Sequence, residues 1–287
     1  MADIPSLLAA RYGIDSSTGD AAASADAAQI LTAPNPVLES LLQHKSVRKF
    51  LPDAALPPGA LELLAAAAQS AATSSNLQTW SAVAVTDPAR KAAASTLSGD
   101  QAFIREAPLL LVFCADLRRL TGVSRQHGTA GAGLAYAEMY TMATIDAALA
   151  GQNAAVAAEA LGLGACYVGA ARNRPRELAA LLGLPPRVVA LFGLAVGWPD
   201  PEARSAAEVK PRLPVAEVLH REAWDDGDQE GNLAAYDKTL DAFNARQGRG
   251  DAPTWTYRSA HRVATVESLH GRDVFRQVLN ERGFELK

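Results

Sequence analysis

Residues 107–115 read APLLLVFCA, a continuous apolar run that is followed by Asp116. A strand covered on both faces has this pattern. Residues 164–170 (GACYVGA) and 188–197 (VVALFGLAVG) are two further apolar runs, and residues 79–86 (TWSAVAVT) also predict a strand. We therefore expect four strands in the core of this protein.

Helical patterns surround these strands. The Ala-rich, proline-free stretch 133–162 predicts one long helix or a broken pair. The other predicted helices span residues 36–44, 58–72, 88–97, 174–183, 230–245 and 272–282. Strands flanked by helices indicate an α/β or α+β layered domain, and the residues alone leave the strand order open.

The two ends of the chain differ from this centre. Residues 15–33 are rich in Ala, Ser and Asp and hold few large apolar side chains, which predicts a flexible N-terminal arm over residues 1–33 and a domain over residues 34–287. From about residue 198 the chain becomes polar and proline-bearing. We expect this C-terminal arm to lack a core of its own and to pack on the main domain or on a partner chain.

Composition excludes several function classes. The net charge of −4 over 287 residues gives no general attraction to nucleic acid or anionic lipid, so a bound phosphate needs a local basic cluster. Apolar runs are broken before the roughly 18 residues of a membrane helix, and Asp3 stands where a signal peptide would be basic. Cys114 and Cys166 each lie in an apolar run and indicate buried thiols, which fits a cytoplasmic location.

Two basic segments are candidates for such a cluster. The first follows the predicted helix 36–44 and comprises His44, Lys45, Ser46 and Arg48. The second is Lys210-Pro211-Arg212, in which the proline fixes the backbone between two cations. Arginine offers a planar fork of donors that suits phosphate. Taken alone, the first segment is more typical of a solvated helix end, and the second is more typical of an exposed loop.

Other polar residues could contact a planar heterocycle. The carboxamides of Gln78 and Gln101 offer both a donor and an acceptor, although glutamine is common on surfaces. Gly169 would let a ligand approach the backbone, or would simply end a strand. Residues 128–133 (GTAGAG) lack the spacing and the preceding strand of a dinucleotide fingerprint. The five histidines are scattered without metal-ligand spacing, so no metal site is expected.

Several segments, taken in order, resemble the FMN-dependent nitroreductase superfamily, in particular its NADPH-dependent oxygen-insensitive nitroreductases and flavin reductases. The matching segments are HKSVRKF (44–50), ATSSNLQTWS (72–81), GDQAFI (99–104), APLLLVFCAD (107–116), AGQNAAVAAEALGLGACYVGAARN (150–173), LFGLAVGWP (191–199) and KPRLP (210–214). No single one is specific, and the evidence lies in their number and order. The likeness covers roughly residues 36–287.

The resemblance implies a fold and an assembly. It implies an α+β subunit whose central sheet is mixed, mostly antiparallel and wrapped by helices. It also implies a homodimer in which the C-terminal arms are exchanged and FMN lies at the interface. Residues 34–287 would then be one FMN-binding nitroreductase-like domain.

The resemblance also implies which residues bind ligands. The expected FMN-binding residues are His44, Lys45, Ser46, Arg48, Thr73, Ser74, Ser75, Gln101, Tyr167, Val168, Gly169, Ala170, Lys210 and Arg212. The expected contacts for NADPH or substrate are Arg172, Arg246 and Asn76. The sequence departs from the family at Asp251, where a second NADPH arginine would fall, and Arg249 is the candidate substitute.

The implied activity is electron transfer from NAD(P)H, preferably NADPH, to nitroaromatic or quinone acceptors by a ping-pong mechanism. The chemistry would take place on the flavin N5, and no side chain is expected to be catalytic. Two alternatives stay open: a flavin reductase that releases reduced FMN, and a flavin-binding protein without turnover.

Overall fold

The structure is a computed structural model that describes residues 4–13 and 35–287. Its α-helices are α1 (Ile4–Tyr12), α2 (Pro36–Leu42), α3 (Ala60–Gln69), α4 (Pro88–Leu97), α5 (Ala102–Glu106), α6 (Arg118–Gln126), α7 (Ala137–Ala160), α8 (Pro175–Leu181), α9 (Pro201–Ala206), α10 (Gln229–Arg246), α11 (Trp255–Arg262) and α12 (Phe275–Glu281). Its strands are β1 (Trp80–Val85), β2 (Leu109–Asp116), β3 (Gly164–Val168) and β4 (Val188–Gly197). The predicted strands and helices are confirmed to within a few residues.

The described residues divide into two compact units. The first unit joins the described part of Met1–Lys45 to Glu202–Ser268, and the second joins Ser46–Pro201 to Leu269–Lys287. The prediction that residues 34–287 form one domain is not decided by this division and stays a prediction.

The second unit is built on one sheet. Its strand order is β1-β2-β4-β3, and each of the three neighbouring pairs is antiparallel. A bridge between Ser46 and Ala165 adds the parallel element. The prediction of an α+β fold with a mixed, mostly antiparallel sheet is confirmed.

Burial of β2 follows from helices on both faces of the sheet. All eight residues of β2 are buried. Leu110, Val112 and Cys114 pack in one cluster with α4, α5 and α8 residues. Leu109, Leu111 and Phe113 pack in another with α3 and α7 residues. The continuous apolar run therefore indicates that both faces of the strand are covered, which occurs in antiparallel as well as in parallel sheets.

Helix α7 is a single helix of 24 residues, which resolves the two predicted forms of this stretch. Its buried residues are small, mostly alanines, so the helix lies close to the sheet. At Gly151 the approach is close, since an added Cβ would lie 2.8 Å from the Phe192 ring. A glycine is therefore required at this point for the observed packing.

The first unit has its own small core, which corrects the expectation that the C-terminal arm has none. Tyr236, Leu240 and Phe243 of α10 are buried together, with Leu213 and Trp255 packed against them. Spacing of three and four residues places the α10 side chains on one face of the helix. The large rings of Tyr236 and Phe243 supply much of the apolar surface that this cluster buries.

The prediction of a flexible arm over residues 1–33 is wrong for Ile4–Tyr12, which form α1. Leu7 and Arg11 of this helix are buried, and the helix packs on α2. An isolated helix of nine residues is unstable in water, so α1 depends on these tertiary contacts. The remainder of the predicted arm, residues 14–33, lies outside the described residues.

Both cysteines are buried free thiols, as predicted. Burial raises the pKa of Cys114 to about 12, an effect that Asp116 reinforces. Within the described residues, no helix is both long enough and apolar enough to cross a membrane.

Candidate functional site

The turn that contains Thr73, Ser74 and Ser75 is held by one buried carboxylate of the second unit. Asp146 of α7 is 1% exposed. Its oxygens accept hydrogen bonds from the Thr73 hydroxyl (2.7 Å) and the Ser74 amide (3.1 Å). They also accept from the amide and the hydroxyl of Thr79, at 3.0 and 2.8 Å. A buried charge of this kind is tolerated because hydrogen bonds satisfy it.

The carboxylate stays ionised in this environment. Burial raises the pKa of Asp146, but the hydrogen bonds from Thr73, Thr79 and Ser74 outweigh burial, and the pKa is lowered overall. The charged form is therefore the one that fixes the turn.

The same turn contains a run of unusual backbone conformations. Ser75, Asn76 and Gln78 have φ angles of 50°, 55° and 51°. Side chains disfavour this left-handed region, and such strain persists only where surrounding contacts impose it. Asp146 supplies those contacts at both ends of the segment. The Gln78 amide nitrogen Nε2 also donates to Asn76 Oδ1 at 3.2 Å.

The end of β3 presents a mixed surface. Tyr167 is 37% exposed, and its hydroxyl donates to Gln152 Oε1 of α7 at 3.3 Å. Val168 is buried, so only its backbone could meet a ligand. An added Cβ on Gly169 would meet only the Arg172 guanidinium, at 3.9 Å, which leaves this stretch of backbone accessible. Ala170, which follows it, is partly buried.

Two further predicted residues lie beside this strand end. The Arg172 guanidinium donates to the Leu191 carbonyl of β4. Gln101 Nε2 donates to the Ser98 carbonyl at 2.9 Å. The segment before Gln101 approaches the strand end, since an added Cβ on Gly99 would lie 3.9 Å from the Ala170 Cβ.

Helix α7 positions both the strained turn and the strand end. Asp146 binds the turn and Gln152 binds Tyr167, six residues further along the helix. At 1.5 Å per residue, this spacing corresponds to about 9 Å along the axis. One rigid element therefore sets the separation between the two segments.

Ser46 and Arg48 lie beside the same strand. Ser46 forms its bridge with Ala165, and the Val47 amide donates to the Ala165 carbonyl at 2.9 Å. Arg48, two residues after Ser46, is exposed, and its charge opposes the rise that burial causes in the pKa of Cys166.

In the first unit, Arg11 joins the start of the first predicted basic segment, at His44, to the second, Lys210-Pro211-Arg212. Its guanidinium donates to the carbonyls of Leu42 (2.6 Å), His44 (3.5 Å) and Lys210 (3.2 Å). Its own carbonyl accepts from the Arg212 amide at 2.8 Å. The Lys45 ammonium donates at 2.5 Å to the carbonyl of Ala207, three residues before Lys210.

A cavity of about 990 Å³ opens at this junction. Its cationic lining residues are Arg11, Lys210, Arg212, Arg258 and Arg262. Its aromatic lining residues are Tyr12, Tyr236 and Trp255, and no described lining residue is acidic. Burial raises the pKa of Tyr236, and the positive charges of Arg212 and Arg258 oppose that rise. Because its charged lining residues are all cationic, the cavity can accept an anion.

The arginines predicted for NADPH lie near the end of α10. Arg246 Nε donates to Glu208 Oε2 at 3.1 Å, and both side chains of this ion pair are about half exposed. The Arg249 guanidinium lies 5.9 Å from the centre of the Phe243 ring. An exposed ion pair of this kind is weak and exchangeable.

Sequence reasoning missed three positioning residues: Arg11, Asp146 and Gln152. The sequence does contain a signal for Asp146, because an acidic residue within a largely apolar stretch of helix (MATIDAALA) indicates a buried carboxylate with hydrogen-bond partners. Gln152 falls within the quoted family segment, but its type alone does not distinguish it from a surface glutamine. Arg11 lies in the stretch interpreted as an arm, and only the structure reveals its partners.

Comparison with known proteins agrees with the fold. Residues 41–198 match the nitroreductase family, and residues 210–287 match the nitroreductase family C-terminal domain. The FMN reductase (NADPH) of Bacillus subtilis (strain 168) is 34% identical over 254 residues, or 87% of this chain and 98% of that protein. The oxygen-insensitive NADPH nitroreductase of Salmonella typhimurium is 36% identical over 243 residues, 82% of this chain and 97% of the relative.

A solved structure gives the same result. NfrA2 of B. megaterium is 31% identical, with a TM-score of 0.82, and the match covers 88% of this chain and 100% of that one. The family matches together extend over most of the chain, and the fold of a solved relative is reproduced. The chain therefore belongs to the nitroreductase family.

Proposed function

We propose that this protein is an FMN-dependent oxidoreductase that transfers electrons from NAD(P)H, preferably NADPH, to nitroaromatic or quinone acceptors by a ping-pong mechanism. The observation that carries the proposal is a nearly full-length likeness to relatives named FMN reductase (NADPH) and oxygen-insensitive NADPH nitroreductase. Because the chain spans 98% and 97% of those relatives, the proposed activity concerns the whole enzyme.

The proposed FMN ligands fit the chemistry of the cofactor. Its phosphate is a dianion that arginine and lysine bind well, and the proposed phosphate ligands are His44, Lys45, Ser46, Arg48, Lys210 and Arg212. Its flat ring needs an approachable backbone and polar groups at its edge. The proposed ring contacts are Thr73, Ser74, Ser75, Gln101, Tyr167, Val168, Gly169 and Ala170.

FMN, when bound, supplies the two-electron redox chemistry between nicotinamide and acceptor, so no side chain is assigned a catalytic role. The residues of the chain bind and orient the reactants. Arg172 is anchored on the Leu191 carbonyl and has further N–H donors to direct at an acceptor oxygen. Asn76, on the strained turn, shapes the same pocket. When NADPH binds, Arg246 leaves its ion pair with Glu208 and pairs instead with the 2′-phosphate.

A homodimer with exchanged C-terminal arms is part of the proposal. In the first unit, Val218, Trp224 and Val263 are 68%, 75% and 76% exposed. In the second unit, Ile145 and Leu149 of α7 are 53% and 41% exposed, one helical turn apart. Exposed apolar groups of this size are typical of an interface. A monomeric mass in solution at micromolar concentration would contradict the homodimer.

Two other functions differ in what happens to the flavin. A flavin reductase that supplies free reduced FMN is favoured by the likeness to two Bacillus subtilis proteins that are named FMN reductases. It would lose FMN during turnover, whereas the proposed enzyme keeps it. A flavin-binding protein without turnover would not be reduced by NADPH. A cytoplasmic location stays a prediction, supported by the two free thiols.

Substitution of Arg212 tests the phosphate assignment. Arg212→Ala should weaken FMN binding by roughly ten- to a hundredfold, because a charge-assisted hydrogen bond contributes about 1.5–3 kcal/mol. Arg221→Ala, at an exposed arginine of the same unit without a proposed role, is the matched control. Equal FMN affinity in the two variants, measured by fluorescence titration, would remove Arg212 from the site.

A further inference from the structure

We propose that α1 is a built-in clamp on the phosphate side of the cofactor site, and that Arg11 is the positioning residue through which it acts. The inference rests on the proposed function, because the segments that Arg11 joins are the proposed phosphate ligands. It goes beyond that function, since it makes FMN retention depend on an N-terminal helix.

The contacts of Arg11 link three distant parts of the chain. Its guanidinium binds the carbonyls of Leu42 and His44 on one side and of Lys210 on the other. Its backbone carbonyl binds the Arg212 amide. The residue is only 9% exposed, so water competes poorly for these bonds. The guanidinium thereby sets the distance between the two proposed phosphate-binding segments.

Two residues fix how α1 packs: Leu7 within the helix and Gly13 just after its last residue. The side chain of Leu7 is only 6% exposed and forms part of the buried side of the helix. Gly13 ends the helix with a φ of 65°, and an added Cβ would overlap the Thr239 Cγ2 of α10. A glycine is needed there both for the backbone angle and for the close approach.

The helix precedes the part of the sequence that matches the family. The two family matches begin at residues 41 and 210, so α1 lies outside both. The carbonyls that Arg11 binds lie within or next to these matches. A segment outside the family matches thus orders a part of the molecule that lies within them.

The physical effect is preorganisation. A phosphate site made from two loops binds more weakly if the loops must be ordered on binding. Arg11 imposes that order beforehand, and its charge adds to the positive potential of the cavity that it lines. The effect should fall on the phosphate end of the flavin and leave the ring contacts unchanged.

The test compares FMN with riboflavin, which lacks the phosphate. We expect Arg11→Ala in the full chain to raise the dissociation constant of FMN about tenfold or more and to leave that of riboflavin unchanged. Arg11→Lys keeps the charge without the planar fork and should recover part of the affinity. Flavin titrations of the flavin-free protein give both constants.

Arg282→Ala is the matched control. Arg282 also donates to three backbone carbonyls, those of Val188, Leu184 and Pro185, but touches no proposed cofactor ligand. It should lower the melting temperature and leave FMN affinity unchanged. If Arg11→Ala does not fold, Gly13→Ala, which displaces α1 through Thr239, decides in its place by the same FMN and riboflavin titrations.

The outcomes separate the two proposals. A wild-type protein that binds FMN, with an Arg11→Ala variant that binds it equally well, overturns the clamp and leaves the proposed function intact. Equal losses for FMN and riboflavin also overturn it, because they indicate general loosening. A wild-type protein without affinity for FMN overturns both.

Discussion

At the scale of single residues, Asp146 illustrates how one buried charge fixes the conformation of a turn. The carboxylate accepts four hydrogen bonds from Thr73, Ser74 and Thr79. Together with the Gln78 backbone amide, which donates to the Thr73 hydroxyl at 2.9 Å, this carboxylate supports the positive φ angles of Ser75, Asn76 and Gln78. The turn is therefore built by a residue far from it in the sequence.

Asp146→Asn should lower the free energy of unfolding by about 2–3 kcal/mol, because hydrogen bonds to a charged group are lost and a donor faces donors. Since the folded pKa of Asp146 is lowered, its ionisation stabilises the protein above the unfolded pKa. That stability is lost as the pH falls through the folded pKa, and the variant should lose this acid-side dependence. Urea unfolding at several pH values measures both effects.

Asp87→Asn is the control for that substitution. Asp87 caps α4 at the surface, accepting one bond from the Arg90 amide at 2.8 Å. Asparagine caps helices about as well as aspartate, so a change of a few tenths of a kcal/mol is expected. A comparable small effect of Asp146→Asn would show that the buried carboxylate does not order the turn.

At the scale of elements, α7 connects the sheet to the strained turn and to the end of β3, and its position depends on Gly151. Helix propensity alone predicts that Gly151→Ala stabilises the protein by about 0.5–1 kcal/mol. The observed packing predicts the opposite sign, since the new methyl group meets the Phe192 ring. Overpacking should cost about 1–3 kcal/mol.

Thermal unfolding of Gly151→Ala distinguishes these two predictions. Ala148→Ser, at an exposed position of the same helix, controls for propensity and should be nearly neutral. A melting temperature of Gly151→Ala above that of the wild type would mean that α7 does not lie as close to β4 as described.

The elements also show what sequence can predict. Runs such as 107–115 and 188–197 indicated strands because burial on both faces leaves no polar alternation. They did not indicate strand direction, since helices can cover both faces of either kind of sheet. Helix α6 was missed because it has no buried residue to create a periodic apolar face. Helix α1 was missed because its stability comes from contacts made elsewhere in the first unit.

At the scale of the whole molecule, the proposed FMN site draws on segments that no local pattern connects. Each of the two basic segments, residues 44–48 and 210–212, could by itself be a solvated helix end or an exposed loop. Only the family resemblance predicted that they act together. The structure adds a physical link for His44, Lys45, Lys210 and Arg212, which share the first unit with Arg11. Assignment of individual residues to FMN and NADPH stays a prediction.

The most direct test of the central claim is the visible absorption spectrum of the purified protein with FMN, before and after anaerobic NADPH. We predict bound flavin that is bleached by NADPH, and whose absorbance returns when a nitroaromatic or a quinone is added while FMN stays bound. A colourless protein that takes up no FMN, or bound flavin that NADPH leaves oxidised, would contradict the claim.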